Sequence, residues 1–279
     1  MQSWDLDRKI QVTTARIMEW YEHYNGLVYV AFSGGKDSTV LLDLVRRIYP
    51  DVPAVFCDTG LEFPEVRQFA RSVENVVVLR PEMNFKKVIE TYGYPIVSKR
   101  VADTVEYGHK PGSFRWKELH GEIIRSNGTK SEFNCEKWCY LLDAPFKVSS
   151  RCCNIMKKKP MKKYSKETGR VPIIATMADE SRSRRSVWMS TGCNAFHKKS
   201  PSSQPMSFWT ENDVLEYIHT YNIPYASVYG DIVPYGGGGQ RQAKKEPDVC
   251  FAPLALIWRS FQTVSSGSNS LIQSCGSIA

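Results

Sequence analysis

The segment from Ser33 to Ser38 has residue types suited to binding a phosphate or sulfate anion. Its sequence, Ser33-Gly34-Gly35-Lys36-Asp37-Ser38, directly follows the apolar run from Leu27 to Phe32. Two glycines let the backbone turn sharply and approach an anion closely, and a helix that follows presents N–H groups and its positive dipole end. The serine hydroxyls add donors and the lysine adds charge. The alternative interpretation is a plain turn between a strand and a helix.

Two further segments contain polar residues that could complete such a site. Asp58-Thr59-Gly60 follows the apolar run from Pro53 to Cys57, and Glu180-Ser181-Arg182 is followed closely by Arg184. The planar guanidinium group of arginine binds phosphate or sulfate oxygens with paired hydrogen bonds. The alternatives are a capped loop for the first segment and the solvated start of a basic helix for the second.

A pair of adjacent cysteines is a candidate metal-binding feature. Cys152 and Cys153 are two of eight cysteines in the chain, and they precede the basic run Lys157-Lys158-Lys159. Adjacent cysteines can both ligate one iron–sulfur cluster when a second pair comes from elsewhere. The alternative is two ordinary buried cysteines.

Short apolar runs alternate with helical patterns along the chain. We predict strands over 27–32, 53–57, 76–79 and 171–175, and helices over 5–24, 38–45, 62–73 and 211–220. This alternation is typical of βαβ units, so the sequence predicts an α/β, Rossmann-like fold with a parallel sheet and helices on both faces. Ligands of such sheets bind beyond the carboxyl ends of the strands, where the glycine loop lies.

The domain organisation follows from where this pattern weakens. Between about residues 96 and 151 aromatic, basic and glycine residues are mixed, which we interpret as an inserted lid region in a nucleotide-binding domain spanning 1–235. Residues 236–279 begin with a glycine run and end in serine- and glycine-rich sequence, so we expect an irregular tail.

Composition restricts the class of protein. The net charge of +8 suits a nucleotide or nucleic acid, although a solubilising surface is the alternative. No run approaches the roughly 18 apolar residues of a membrane span, and the N-terminal residues lack the pattern of a signal peptide. We therefore expect a cytoplasmic protein with no membrane partner and, given that compartment, no disulfide framework.

The glycine loop resembles the pyrophosphate loop (PP-loop) of the adenine nucleotide alpha-hydrolase-like superfamily. The three other segments are similar to those of the phosphoadenosine phosphosulfate (PAPS) reductase family, in its iron–sulfur-containing branch, and the resemblance extends over about residues 25–235. The resemblance implies that nucleotide binding is the role of Ser33, Gly34, Gly35, Lys36, Asp37, Ser38, Asp58, Thr59, Gly60, Glu180, Ser181, Arg182 and Arg184. It implies Cys152, Cys153 and Cys250 as ligands of a 4Fe–4S cluster.

The function that the resemblance implies is reduction of adenylyl sulfate (APS) or PAPS to sulfite, with a thiol electron donor such as thioredoxin and a homo-oligomeric enzyme. It leaves the catalytic nucleophile unassigned. Two alternatives stay open. One is an ATP pyrophosphatase-type enzyme of tRNA or DNA sulfur modification, which would contact nucleic acid. The other is a nucleotide-binding remnant without turnover.

The C-terminal region departs from the family pattern. The cluster-binding relatives have a second Cys-X-X-Cys pair after the helix that corresponds to 211–220, whereas this chain has Cys250 alone there. The relatives also have a Glu-Cys-Gly-x-His tail, to which Ser274-Cys275-Gly276 is only weakly similar. If suitable codons are chosen for residues 246–255, translation of the same DNA in a neighbouring reading frame gives Thr-Gly-Cys-Met-Phe-Cys-Ala-Phe-Gly. We therefore hypothesise that the tail is frameshifted, from a change around residues 235–245.

Overall fold

The structure is a computed structural model that describes residues 1–235 and 239–242. The helices are α1 (Leu6–His23), α2 (Lys36–Arg46), α3 (Pro64–Ser72), α4 (Phe85–Tyr92), α5 (Lys99–Tyr107), α6 (Phe114–Leu119), α7 (Lys159–Thr168), α8 (Arg182–Thr191) and α9 (Glu211–Tyr221). The strands are β1 (Val28–Phe32), β2 (Ala54–Cys57), β3 (Val76–Leu79), β4 (Val171–Ile174), β5 (Asn194–Ala195), β6 (Ser202–Ser203), β7 (Ile232–Tyr235) and β8 (Gly239–Gln242).

The chain divides into two compact units. Of the described residues, 1–58, 62–80, 159–235 and 239–242 form the first unit, and 59–61 and 81–158 form the second. The region predicted to be an insertion, about 96–151, falls within the second unit. In the first unit, β8 pairs antiparallel with β7, so a short hairpin begins the segment expected to be irregular. The rest of that segment lies outside the described residues.

The first unit contains a six-stranded sheet in the order β3-β2-β1-β4-β6-β5. The first five strands in this order are parallel, and β5 pairs antiparallel with β6 at one edge. The predicted α/β class with a mostly parallel sheet is therefore confirmed. The chain proceeds from β1 to β2 and β3 on one side and then to β4 on the other side of β1, so the strand order reverses between β1 and β4. Such a switch point is where open α/β sheets bind ligands.

Helices cover both faces of this sheet, as the sequence predicts. Successive side chains of a strand point to opposite faces, so Tyr29 and Phe32 of β1 lie on different sides. The Phe32 ring packs against Phe69 of α3 at 6.2 Å, whereas the Tyr29 ring meets Tyr164 of α7 edge-on at 5.2 Å. The main core is on the Phe32 side and includes Ile17, Trp20, Val30, Leu41, Leu44, Phe208, Trp209 and Tyr217.

Helix α9 begins where the sequence predicts, and a buried ion pair joins it to α1. Thr210 and Asp213 form a capping box, with the Asp213 side chain accepting from the Thr210 N–H at 2.6 Å. The Lys9 ammonium group lies 2.6 Å from the same carboxylate, and both side chains are nearly inaccessible. Because a buried charge is stable only when paired, this contact determines how α9 meets α1.

The second unit has its own small core. It contains α4, α5, α6 and a 3₁₀ segment from Glu136 to Asp143. The buried residues of its main cluster are Ile96, Val101, Ala102, Val105, Leu119, Cys135, Cys139, Leu141 and Val148. The buried carboxylate of Glu118 accepts hydrogen bonds from Arg100, Thr104 and Arg115, so it links α5 to α6.

Candidate anion-binding site

The carboxyl edge of the sheet places three of the predicted segments side by side. Strands β2, β1 and β4 are adjacent and parallel, so their carboxyl ends meet at one edge. The glycine loop follows β1, Asp58 follows β2, and the 3₁₀ turn Ala178–Glu180 comes after β4. The loop and the turn after β4 flank the switch point of the sheet, which is a favourable location for an anion.

The glycine loop fits tightly beneath α3. Gly34 has a φ of +75°, a conformation that favours glycine. A Cβ atom added to Gly34 would lie 2.9 Å from the Val66 Cγ1 atom and 3.1 Å from the Val66 carbonyl oxygen. Both the backbone angle and the close approach of α3 therefore require glycine here.

The end of the loop is the N-cap of α2, which begins at Lys36, two residues earlier than predicted. Gly35 occupies the cap with an extended backbone and provides no side-chain hydrogen bond. A helix N-terminus of this kind presents backbone N–H groups and a positive dipole end. Ser33 is exposed and Gly35 is half-buried, so this helix end opens to the surface.

The two serines of the loop stabilise its conformation. The Ser38 hydroxyl accepts from the Ser33 N–H at 3.2 Å and donates to the Gly35 carbonyl at 2.9 Å. The Ser33 hydroxyl accepts from the Gly35 N–H at 3.2 Å and lies 3.0 Å from the Ser38 hydroxyl. These contacts preorganise the turn.

Lys36 is buried, and a residue that sequence reasoning did not single out is its partner. The side chain is 1% exposed, and its ammonium group lies 3.2 Å from the Glu211 carboxylate at the start of α9. The same ammonium group lies 5.6 Å from the ring centroid of Tyr229, within cation–π range. The contact with Glu211 spans 175 positions of sequence, so no local pattern could predict it.

Two arginines that the sequence analysis did not identify fix Asp58. Its buried carboxylate accepts hydrogen bonds from Arg67 at 3.1 Å and from Arg71 at 2.6 Å. These arginines are four residues apart on α3, a spacing that places them on one face and could have indicated a common partner. In the second unit, Thr59 accepts a hydrogen bond from the Leu61 N–H at 3.3 Å, and Gly60 has a φ of +78°.

The segment Glu180-Ser181-Arg182 forms the start of α8. Ser181 is the N-cap, and its hydroxyl accepts from the Arg184 N–H at 3.2 Å. The Glu180 carboxylate accepts from the Met177 N–H at 3.1 Å and pairs with the Arg184 guanidinium. Arg182 and Arg184 are both exposed.

Arg184 brings α8 into electrostatic contact with the glycine loop. The partly covered guanidinium of Arg184 has a lowered pKa through desolvation, and the negative charge of Asp37 acts in the opposite direction. Asp37 is in the first turn of α2, so the charge of Arg184 is within electrostatic range of the start of that helix. The structure therefore unites the glycine loop and the Glu-Ser-Arg segment at one place.

The predicted cluster ligands do not form a metal site in the described part of the chain. Cys152 packs with Val88, Ile155 and Met156 in the second unit, and Cys153 is half-buried. Among residues 1–235 and 239–242, no group of three or more His, Cys, Asp and Glu side chains is arranged to hold a metal ion. Cys250 lies outside those residues. The described residues contain two of the three predicted ligands, so the cluster assignment stays a prediction, and we assign no chemical step to it.

No helix among the described residues is long and apolar enough to cross a membrane.

Comparison with known proteins gives a family match over most of the chain. A sequence model of the family described as "Phosphoadenosine phosphosulfate reductase domain" matches residues 27–104 and 125–235. The matched stretches include the glycine loop, Asp58, the cysteine pair and the start of α8.

Three individual proteins illustrate the similarity. The chain is 33% identical over 105 residues to an uncharacterized protein of Methanocaldococcus jannaschii, a match that covers 36% of this chain and spans only 25% of that protein. It is 26% identical over 221 residues to the adenosine 5′-phosphosulfate reductase of Staphylococcus haemolyticus, covering 78% of this chain and 72% of the relative. Among solved structures, the phosphoadenylyl-sulfate (PAPS) reductase from Candida auris in its phosphate complex has 14% identity and a TM-score of 0.45, covering 84% and 95% of the two chains.

Proposed function

This chain belongs to the phosphoadenosine phosphosulfate reductase domain family, and from that premise we propose that it binds an adenine sulfonucleotide, APS or PAPS. The observation that carries the proposal is the glycine loop at the switch point between β1 and β4, because the segment that leads into α8 follows β4 at the same edge of the sheet. A tight anion-binding turn and an arginine-bearing helix start then act on one ligand.

The proposal gives each part of the site a role. The backbone of the loop from Ser33 to Ser38 and the N-terminus of α2 hold phosphate oxygens. Arg184, with Arg182, contacts the remaining phosphate or sulfate oxygens, because guanidinium groups match their geometry. Asp58 lies next to the adenosine part of the bound nucleotide. The assignments of Thr59 and Gly60 to the nucleotide stay predictions.

The proposed reaction is reductive release of sulfite. A thiolate attacks the sulfur of the bound sulfonucleotide, the bond from sulfur to the phosphate oxygen breaks, and the nucleotide leaves with that oxygen. A second thiolate attacks the resulting S-sulfonate, forms a disulfide and releases sulfite, so two thiols supply both electrons. We assign neither thiol to a cysteine of residues 1–235, and we assign the attack to a donor such as thioredoxin.

Calorimetry and a sulfite assay test this function. Anaerobically purified protein is titrated with APS, PAPS, ATP and AMP, and sulfite is then measured with an added dithiol. The proposal expects a sulfonucleotide to bind more tightly than AMP, and sulfite to appear only with both nucleotide and thiol. Absence of sulfonucleotide binding contradicts it. Binding without sulfite release supports the nucleotide-binding remnant instead.

An ATP pyrophosphatase-type enzyme of nucleic acid modification is the second candidate. The observation that favours it is the set of four exposed lysines on α7, which suits a polyanionic macromolecule: Lys159, Lys162, Lys163 and Lys166. Cleavage of ATP to AMP and pyrophosphate, stimulated by nucleic acid, distinguishes this reaction from the first.

A further inference from the structure

One face of α7 carries four lysines that no carboxylate of the described residues neutralises. Lys159, Lys162, Lys163 and Lys166 occur at positions i, i+3, i+4 and i+7, so they lie on one side of the helix. All four are exposed. Within residues 1–235 and 239–242, none of their ammonium groups takes part in a hydrogen bond or ion pair. This lysine face is a strip of positive charge about 10 Å long.

The opposite face of α7 attaches the helix firmly to the sheet of the first unit. Tyr164 meets the Tyr29 ring edge-on, and the Ser165 hydroxyl lies 3.2 Å from the Tyr29 hydroxyl. Just after the helix, Arg170 donates to the Val28 carbonyl oxygen at 2.9 Å. The four lysines are therefore presented on a fixed support and point away from the sheet.

Such a face is unfavourable for the isolated helix. Lys159 with Lys163, and Lys162 with Lys166, are like-charge pairs four residues apart, and such pairs destabilise a helix. Glu167 is the one acidic residue of α7, and it forms no ion pair with these lysines among the described residues. A polyanion bound along the face would remove the repulsion.

The composition of the lysine face distinguishes among polyanions. Protein interfaces are depleted in lysine and are centred on aromatic, methionine or arginine anchors. Met161 and Tyr164 of α7 fall on the opposite side of the helix by their helical positions, and Tyr164 packs on Tyr29, so neither is an anchor within the lysine face. Sites for single-stranded nucleic acid interleave aromatic side chains on which bases stack. Double-stranded RNA-binding domains recognise duplex RNA by its shape over about 16 base pairs and two successive minor grooves, a span far longer than this strip of about 10 Å. Contacts to phosphate alone suit duplex DNA, which carries one charge per about 1.7 Å of axis.

We propose that the lysine face of α7 docks the phosphate backbone of duplex DNA without reading its sequence. This inference goes beyond the proposed nucleotide chemistry and does not depend on it, because the four lysines belong to α7 and are not among the residues assigned to the nucleotide. The expected complex is weak at high salt, since lysine contacts release condensed counterions.

Fluorescence anisotropy with the full chain tests the proposal. The probe is a labelled mixed-sequence duplex of about 20 base pairs, titrated at several salt concentrations between about 50 and 200 mM. One variant combines Lys159→Gln, Lys162→Gln, Lys163→Gln and Lys166→Gln, which keeps helix propensity. A matched control combines Lys86→Gln, Lys87→Gln, Lys198→Gln and Lys199→Gln, which removes equal charge from four other exposed lysines.

The α7 variant is expected to weaken duplex binding at least about tenfold and to reduce the slope of log Kd against log salt by roughly 3.6, at about 0.9 for each of the four lost contacts. The control is expected to stay within about threefold of the unsubstituted chain. Equal weakening in both variants would assign the effect to net charge and overturn the proposal. Tighter binding of single-stranded DNA or duplex RNA, or no duplex binding at the lowest salt, also overturns it. Circular dichroism of each variant checks that it is folded.

Discussion

The carboxylate of Asp37 supports the charge of the Arg184 guanidinium across the switch point of the sheet. Desolvation lowers the pKa of this arginine and the charge of Asp37 opposes the effect, so the cation lies within electrostatic range of the first turn of α2. An anion bound in the glycine loop would therefore interact with the dipole of α2 and with the charge of Arg184. Neither α2 nor α8 alone would provide both.

Substitution of Arg184 is expected to weaken sulfonucleotide binding. Arg184→Gln removes a charged donor from the proposed site, and hydrogen bonds to charged groups contribute about 1.5–3 kcal/mol, which corresponds to a loss of roughly 10- to 100-fold in affinity. Isothermal titration with APS and PAPS measures the effect. Arg185→Gln is the matched control, because Arg185 is exposed on the same helix and outside the predicted set. Similar losses in both variants would contradict the assignment of Arg184.

Gly34→Ala is expected to destabilise the first unit and to abolish nucleotide binding. The alanine would need a φ of +75° and would place Cβ 2.9 Å from the Val66 Cγ1 atom. Strain of this kind costs about 1–3 kcal/mol, measurable by urea unfolding. Gly169→Ala is the control, because Gly169 has a φ of +69° with nothing within 4 Å of its added Cβ. If the two variants lose equal stability, the close contact with Val66 has no energetic consequence.

The sequence predicts the local features of this fold better than its long-range contacts. Strand β3 lies over the predicted residues 76–79, and α9 begins at residue 211 as predicted, next to a capping box of Thr210 and Asp213. Both features depend on neighbours in the chain. The partnership of Lys36 with Glu211 depends on how α9 packs beside α2, which no local pattern contains.

The same distinction applies to the candidate site. The glycines predict a tight turn. The close approach of Val66 on α3, which leaves no room for a Cβ atom at Gly34, is visible only in the packing of α3 against the loop. The arginines that hold Asp58 belong to α3 as well, and their spacing became meaningful once the position of the carboxylate was known.

The second unit is expected to lose stability in acid through Glu118. Burial raises the pKa of this carboxyl group, but hydrogen bonds from Arg115, Thr104 and Arg100 outweigh burial and leave the pKa below its ordinary 4.5. A lowered pKa in the folded state gives stability that is present above the ordinary value and is lost as the pH falls through the lowered one. Hydrogen exchange of α5 and α6 at pH 7 and below pH 4 reports this stability locally.

A charge-removing variant separates Glu118 from general acid effects. Glu118→Gln should destabilise the second unit by about 1.5–3 kcal/mol at neutral pH, and the difference should shrink in acid, because the wild-type carboxylate then becomes protonated. Glu122→Gln, at an exposed position nearby, should change little at either pH. A pH-independent difference for Glu118→Gln would show that shape and not charge is responsible.

The reading frame of the C-terminal segment is open to a direct test. If the hypothesis of a frameshift is correct, the codons of residues 246–255 spell Thr-Gly-Cys-Met-Phe-Cys-Ala-Phe-Gly in the neighbouring register. The restored chain would then have a Cys-X-X-Cys pair to add to Cys152 and Cys153, and four thiolates can hold a 4Fe–4S cluster. Sequencing the coding DNA tests the frameshift, and codons that spell unrelated residues would contradict it.

Iron and sulfide analysis of the restored chain tests the cluster. About four irons per chain are expected, and a Cys152→Ser variant of the restored chain should hold fewer.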